Sequence, residues 1–168
     1  MTIRSSEATV FRSQVQQLTS IHTNQTYQID IWLPPSYAES SNSFPALYLL
    51  DSNLLFGAAA NLVLPLIWGG ELPELIIIGI GYANLKSYEQ LGELRERDFV
   101  FETPAFLQFI TSELMPHINV NYRTDASDHA IMGRAFARFS ARVVMLQYRK
   151  RSGATPFMVE KHLGASSS

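Results

Sequence analysis

The sequence has no cysteine, which excludes disulfides and thiolate metal sites and leaves no mark of the redox compartment. Charge is sparse as well: 17% of residues are charged, with 13 basic against 15 acidic and a net charge of −2. Phosphate binding needs a concentrated basic surface. The single basic cluster, "YRKR" at 148–151, reads as a solvated helix end, so nucleic acid is not an expected partner. There are four histidines, and His22, His117 and His129 have no partner at metal-ligand spacing. No metal and no cofactor is expected. Long apolar runs are missing too. "ELIIIGIGY" is much shorter than the roughly 20 residues needed to span a bilayer, and "MTIRSSEATVF" at the N-terminus lacks the apolar core of a signal peptide. The expectation is a cytoplasmic protein without a membrane partner.

What is present suits one domain: 168 residues, 46% of them hydrophobic, can bury a single core. Residues 8–16 alternate mildly. In "QTYQIDIWLPP", Tyr27, Ile29 and Ile31 alternate with Gln28 and Asp30, as in a half-buried antiparallel strand that Pro34 and Pro35 terminate. "FPALYLLD", "ELIIIGIGY" and "HAIMG" are continuous apolar runs, each predicting a strand covered on both faces. Between them, "LLFGAAANLVLPLIWGG" predicts a helix broken late at Pro65 and closed by Gly69 and Gly70. "TPAFLQFITSELMPHI" predicts another, with Thr103 as N-cap, Pro104 in the first turn and Phe106, Phe109, Ile110 and Leu114 on one face. "SYEQLGELRERDF" is charged and fits a helix or a surface loop, and "FARFSARVVMLQY" is amphipathic. Antiparallel strands followed by a β-α-β-α-β-α series predict an α/β three-layer sandwich with a mostly parallel central sheet.

"IGIGY" holds a lone Gly-x-Gly, read as close packing of a buried strand and not as a phosphate loop. The acidic residues of "ELRERD" read as a solvated face. "HAIMGRAFARFS" at 129–140 has the setting of a nucleophile elbow, an apolar strand ending in Gly133 and leading into a helix, without a nucleophile in it. Ser140 lies within the predicted helix, where its hydroxyl would bond a backbone carbonyl, and His162, the only histidine after the elbow, reads as a tail residue.

"YQIDIWLPPSY", "FPALYLLDSN" with Phe56 just after, "ELIIIGIGY", "RERDF" and "FLQFITSELMPHINVNYRTD" stand in an order that resembles the esterases of the esterase D and siderophore-esterase type, over residues 8–133. The resemblance implies a truncated α/β-hydrolase fold, a small-molecule ester as substrate, and a serine nucleophile in Gly-His-Ser-x-Gly-Gly, served by a histidine and an acid. Carried over by position, Gly133 opens the elbow, Arg134 replaces its histidine, Ala135 its serine and Ala137 its glycine. The oxyanion loop falls on "DSN", with Ser52 and Asn53, and Phe136 takes the place after the nucleophile. Arg97 and Asp98 stand where the family has an Arg-Asp pair, as possible pocket lining. Alanine at 135 has no nucleophilic atom. Thirty-three residues follow Ala135, too few for the units that carry the acid and histidine.

The loss is abrupt, which a one-base shift in reading frame explains better than gradual decay. Arg134 to Phe139 back-translates as CGN GCN TTY GCN CGN TTY; without its first base this permits Gly-His-Ser-Leu-Gly. The same shift turns Met158-Val159 into TGG, tryptophan, and the following codon permits a second one, matching a Trp-Trp pair that the family carries after its elbow. The expectation is an out-of-frame tail from Arg134 onward on a truncated, inactive esterase. A ligand- or partner-binding pseudo-hydrolase is the alternative, and a hydrolase using an unrecognised residue or a partner chain is the third reading. An open sheet edge after "HAIMG" would favour self-association.

Overall fold

β1 (Gln14–Thr19) and β2 (Thr26–Trp32) form an antiparallel hairpin that pairs Gln14 with Ile31 and Thr19 with Thr26. Its turn is closed by the Ser20 N–H donating to the Gln25 carbonyl at 2.9 Å. These elements come from a computed structural model that describes residues 13–133 and the backbone of 147–149. The alternating stretch read at 8–16 is therefore described only from residue 13, and the amphipathic run after Gly133 lies outside the described residues.

Three strands follow: β3 (Phe44–Leu50), β4 (Ile76–Tyr82) and β5 (Thr124–Met132). With a short β6 (Gln147–Arg149) they complete a sheet of order β1-β2-β4-β3-β5-β6. The sheet is mixed, and this corrects the expectation of a mostly parallel one. Among the described residues only β3–β4 and β3–β5 pair parallel, whereas β2 runs against both β1 and β4 and β5 against β6. β4 is buried throughout, as its continuous apolar run requires. β5 departs from that pattern: of its nine residues only Ile131 is buried.

Helices lie on both faces. α1 (Ser52–Trp68) packs Phe56, Ala60 and Val63 against Trp32, Leu49 and Ile77. α2 (Tyr88–Glu96), α3 (Thr103–Gln108) and α4 (Met115–Asn121) cover the other face, where Phe106, Phe109, Ile110 and Leu114 meet Tyr27, Ile29 and Ile78. Alternation along the strands produces this division: Ile76 and Ile78 join one core, Ile77 the other. Each fully buried Ile or Leu contributes about 1.5–3 kcal/mol.

Two helix boundaries differ from the sequence reading. α1 runs through Pro65 to Trp68, because a proline in the last turn removes one backbone bond while the packed face continues to Val63. Thr103 is the first helical residue, not the cap; Glu102 holds the cap position without a side-chain bond. A π-helical turn at Arg97–Phe101, closed by the Glu102 N–H on the Arg97 carbonyl at 2.6 Å, joins α2 to α3. A second at Phe109–Leu114 joins α3 to α4 without a break in the chain of helical residues.

Candidate active site

Parallel pairing brings the C-terminal ends of β3, β4 and β5 together, with Leu50 beside Ile80 and Leu49 beside Met132. In open α/β sheets this edge is where ligands bind. Leaving β3, the chain reverses at Asp51 in the left-handed conformation, φ 59° and ψ 35°, which costs a non-glycine residue about 1–2 kcal/mol. A guanidinium fork offsets that cost: Arg95 donates from Nε and Nη2 to the two Asp51 carboxylate oxygens at 2.6 and 3.1 Å. The Asp51 carboxylate is fully buried, and its backbone carbonyl accepts from the Leu54 and Leu55 N–H groups at 2.9 and 3.0 Å to start α1.

The next two side chains turn down onto the sheet. Ser52 Oγ donates to the buried Asp30 carboxylate, which also accepts from Gln28 Nε2 at 3.0 Å. Asn53 spans the end of β4, accepting from the Tyr82 N–H at 2.7 Å and donating to the Tyr82 carbonyl at 3.1 Å. Both need room that only glycine leaves. A Cβ on Gly79 would fall on Ser52 Oγ and lie 2.7 Å from Phe56 Cδ2, and one on Gly81 would lie 2.6 Å from Asn53 Oδ1. The two glycines of "IGIGY" are thus seats for the two side chains of the turn.

With all three side chains so committed, what the turn presents at the strand ends is backbone. The first N–H groups of a helix have no intrahelical acceptor and carry partial positive charge. Donors of this kind, fixed in advance, stabilise a developing oxyanion. Gly133, just after β5, lies next to this turn, where a Cβ would lie 2.9 Å from Leu50 Cδ1. Arg134, Ala135, Phe136 and Ala137 lie outside the described residues, as do Ser140 and His162.

Arg97 and Asp98 occupy different surroundings. Asp98 is fully buried and accepts from the Tyr27 hydroxyl at 2.8 Å and from Arg97 Nε at 2.7 Å. Arg97 Nη1 continues to Gln25 Oε1 at 3.0 Å. The pair ties the π-helical turn to β2 and its hairpin. It is Arg95, two positions earlier, that reaches the turn at Asp51. Tyr27 itself stacks on Phe109 with ring centroids 4.2 Å apart.

Burial pushes the hydroxyls of Tyr27, Tyr48 and Tyr82 above the ordinary tyrosine range, and the Asp98 carboxylate adds to the effect at Tyr27 and Tyr82. A raised native value means the unfolded chain loses these protons first. Their stabilisation is therefore complete below about pH 10 and is lost as pH rises from there toward the raised native values. Denaturant midpoints measured on either side of about pH 10 are expected to fall on the alkaline side. In Tyr27→Phe that alkaline fall is expected to be shallower.

The histidines do not converge. His22 Nε2 lies 3.6 Å from Glu113 Oε1, His117 Nε2 lies 3.2 Å from Gln16 Oε1, and the His129 ring meets Tyr48 edge-on at 6.3 Å. Among the described residues no group of three His, Cys, Asp or Glu could hold a metal ion, and no helix is long and apolar enough to cross a membrane. A groove of about 520 Å³, lined by Trp32, Pro34, Tyr37, Leu64 and Trp68, opens at the other end of the sheet, where Trp32 pairs with Ile77 near the start of β4.

The sequence matches the profile of the family described as "Putative esterase" over residues 20–154. That match starts later and ends later than the resemblance read at 8–133, and it includes position 135. Among curated proteins, the chain is 27% identical over 164 residues to the ferri-bacillibactin esterase of Bacillus subtilis, covering 82% of this chain and 54% of that one. It is 28% identical over 141 residues to an uncharacterized protein of the same organism, covering 80% and 56%. Among solved structures, an IroE-like serine hydrolase from Shewanella oneidensis matches with a TM-score of 0.62 and 27% identity, over 74% of this chain and 43% of that one. The BES protein of Bacillus cereus matches with a TM-score of 0.67 and 23% identity, over 80% and 56%. The chain thus spans about half the length of the curated relatives it matches. With a family match over most of its length and the turn at Asp51–Asn53 at the ends of its parallel strands, the chain belongs to this esterase family.

Proposed function

We propose that this chain is the N-terminal half of a carboxylic-ester hydrolase of the siderophore-esterase type, carrying the oxyanion-binding turn and lacking the nucleophile. The observation that carries this is the turn itself: Asp51, Ser52 and Asn53 are each tied down by a named partner at the ends of the parallel strands. A hydrolase needs such preset donors where the substrate carbonyl oxygen gains charge.

In the intact reaction a serine at position 135 would attack the ester carbonyl, and the Ser52 and Asn53 N–H groups at the start of α1 would hold the resulting oxyanion. Phe136, following the nucleophile, would supply a second backbone donor. Ala135 supplies no attacking atom, so the chain as written performs no acyl transfer. The truncated three-layer sandwich and the out-of-frame tail from Arg134 belong to the same proposal. The substrate is a small ester, for which the siderophore esterases among the relatives are the guide. Arg97 and Asp98 serve it indirectly, by fixing the turn that follows Arg95.

Turnover of p-nitrophenyl acetate tests this reading. The chain as written is expected to match the buffer blank. The product of the restored frame is expected to turn over with a burst of p-nitrophenol, lost when the restored serine is replaced by alanine. Turnover by the chain as written, above blank and saturable, would overturn the proposal.

A further inference from the structure

A glycine would enter the left-handed conformation at position 51 without steric cost, yet the chain places an aspartate there. What holds it is Arg95, in the last turn of α2. The Asp51 side chain is fully buried and that of Arg95 is 12% exposed, so water is a poor substitute for either partner. The guanidinium is itself placed from two sides. Its Cζ lies 5.7 Å from the centre of the Phe99 ring, which meets buried Phe106 edge-on at 5.4 Å. The residue before it, Leu94, accepts from the Tyr82 hydroxyl at 3.2 Å through its backbone carbonyl. Tyr82 is also the residue whose backbone Asn53 clamps, at 2.7 and 3.1 Å. Asp51, Arg95, Leu94, Tyr82 and Asn53 therefore close a ring that contains Ser52.

We propose that Arg95 is the positioning residue of this turn: its fork keeps Asp51 left-handed and so sets the direction of the Ser52 and Asn53 N–H groups. The peptide plane that carries the Ser52 N–H follows directly from the ψ of Asp51, and Asn53 is the next helical residue. Any other conformation at Asp51 would rotate that plane and pull the Asp51 carbonyl away from the Leu54 and Leu55 N–H groups it accepts from. Lysine does not replace Arg95 here, because an ammonium is a point charge and cannot meet both carboxylate oxygens in one plane. The bearing on catalysis rests on the ester-hydrolase reading above, whereas the hold on Asp51 does not. α2 thus acts on the reaction without touching the substrate, through one fork and the Tyr82 link beside it.

Backbone NMR of the full chain tests this at the turn itself, with circular dichroism to confirm that each variant folds. In Arg95→Met the Asp51 carboxylate is left buried and unpaired. The Asp51 backbone coupling is then expected to leave its left-handed value, and the Leu54 and Leu55 amides to exchange about tenfold faster relative to those of β4. Arg95→Lys is expected to behave in the same way. Asp51→Gly combined with Arg95→Met separates positioning from mere ion pairing, since glycine takes the conformation unaided and no charge is left buried. In that double variant the Asn53, Leu54 and Leu55 signals are expected to return to those of the parent chain. Parent-like signals in Arg95→Met, full rescue by lysine, or no recovery in the double variant would overturn the proposal. Turnover is scored separately on the product of the restored frame, where Arg95→Met is expected to lower kcat about 100-fold with KM little changed. A raised KM at unchanged kcat would also overturn it. No turnover by the unsubstituted product would count against the ester reading, and the amide signals would still decide whether Arg95 positions the turn.

Discussion

Gly79→Ala is expected to lower the unfolding free energy by about 3 kcal/mol, at the upper end of overpacking costs. Its Cβ falls on Ser52 Oγ and within 2.7 Å of Phe56 Cδ2, two atoms of α1 that are both buried. Neither can give way cheaply. If Ser52 rotates, the buried Asp30 carboxylate loses a donor, and an unsatisfied buried group costs about 1–3 kcal/mol, more when charged. If α1 moves outward, the core between Phe56 and Ile77 opens. Pairing Gly79→Ala with Ser52→Gly is expected to recover about 1 kcal/mol, because it removes the collision with Ser52 while the one with Phe56 stays and Asp30 is left less satisfied. Gly81→Ala is expected to cost less, since it meets the end of the Asn53 side chain. Urea denaturation midpoints measure all three. A loss below about 0.5 kcal/mol at Gly79 would mean that α1 does not sit on β4 as described.

Asp98→Ala is expected to cost about 3 kcal/mol. The carboxylate is fully buried, with Tyr27 and Arg97 both donating to it. Removing one side of a buried pair costs about 3–5 kcal/mol, and the lower figure applies because the Arg97 side chain is 25% exposed and can rehydrate. The Tyr27 hydroxyl has no such route, being on a fully buried residue. Asp98→Asn keeps an acceptor for Tyr27 and is expected to lose about half as much, because a charge-assisted bond is roughly twice as strong as a neutral one. Thermal unfolding of the two variants checks the order; equal losses would mean that the ion pair with Arg97 carries the whole effect.

Much of the fold was legible because period and length mark buried strands and helices. "ELIIIGIGY" became a fully buried strand and "FPALYLLD" its parallel neighbour. What escaped the sequence depends on who sits next to whom. β5 reads as a covered strand, yet only Ile131 of it is buried, because cover depends on what packs against the strand and not on its own residues. The alternation of β2 did mark it as antiparallel, and it runs against both β1 and β4. At the candidate site, the family resemblance pointed to "DSN", while the partners of its side chains were not legible. Arg95 and Arg97 stand two apart in "RERD", and helical rotation sends one to Asp51 and the other to Asp98. Asp30 looked like the polar half of an alternating strand. Its burial against Ser52 becomes visible only once β2 and β4 are seen to share α1. The glycines of "IGIGY" were legible as close packing, but not as seats for Ser52 and Asn53.

The coding DNA across codons 132 to 160 is the most direct test of the claim that an esterase of this family has lost its nucleophile at Ala135. The expected result is that a one-base shift restores Gly-His-Ser-x-Gly and opens a long downstream frame containing the tryptophan forced by Met158-Val159. Confirmation of the frame as written, with stop codons soon met in the shifted one, would contradict it.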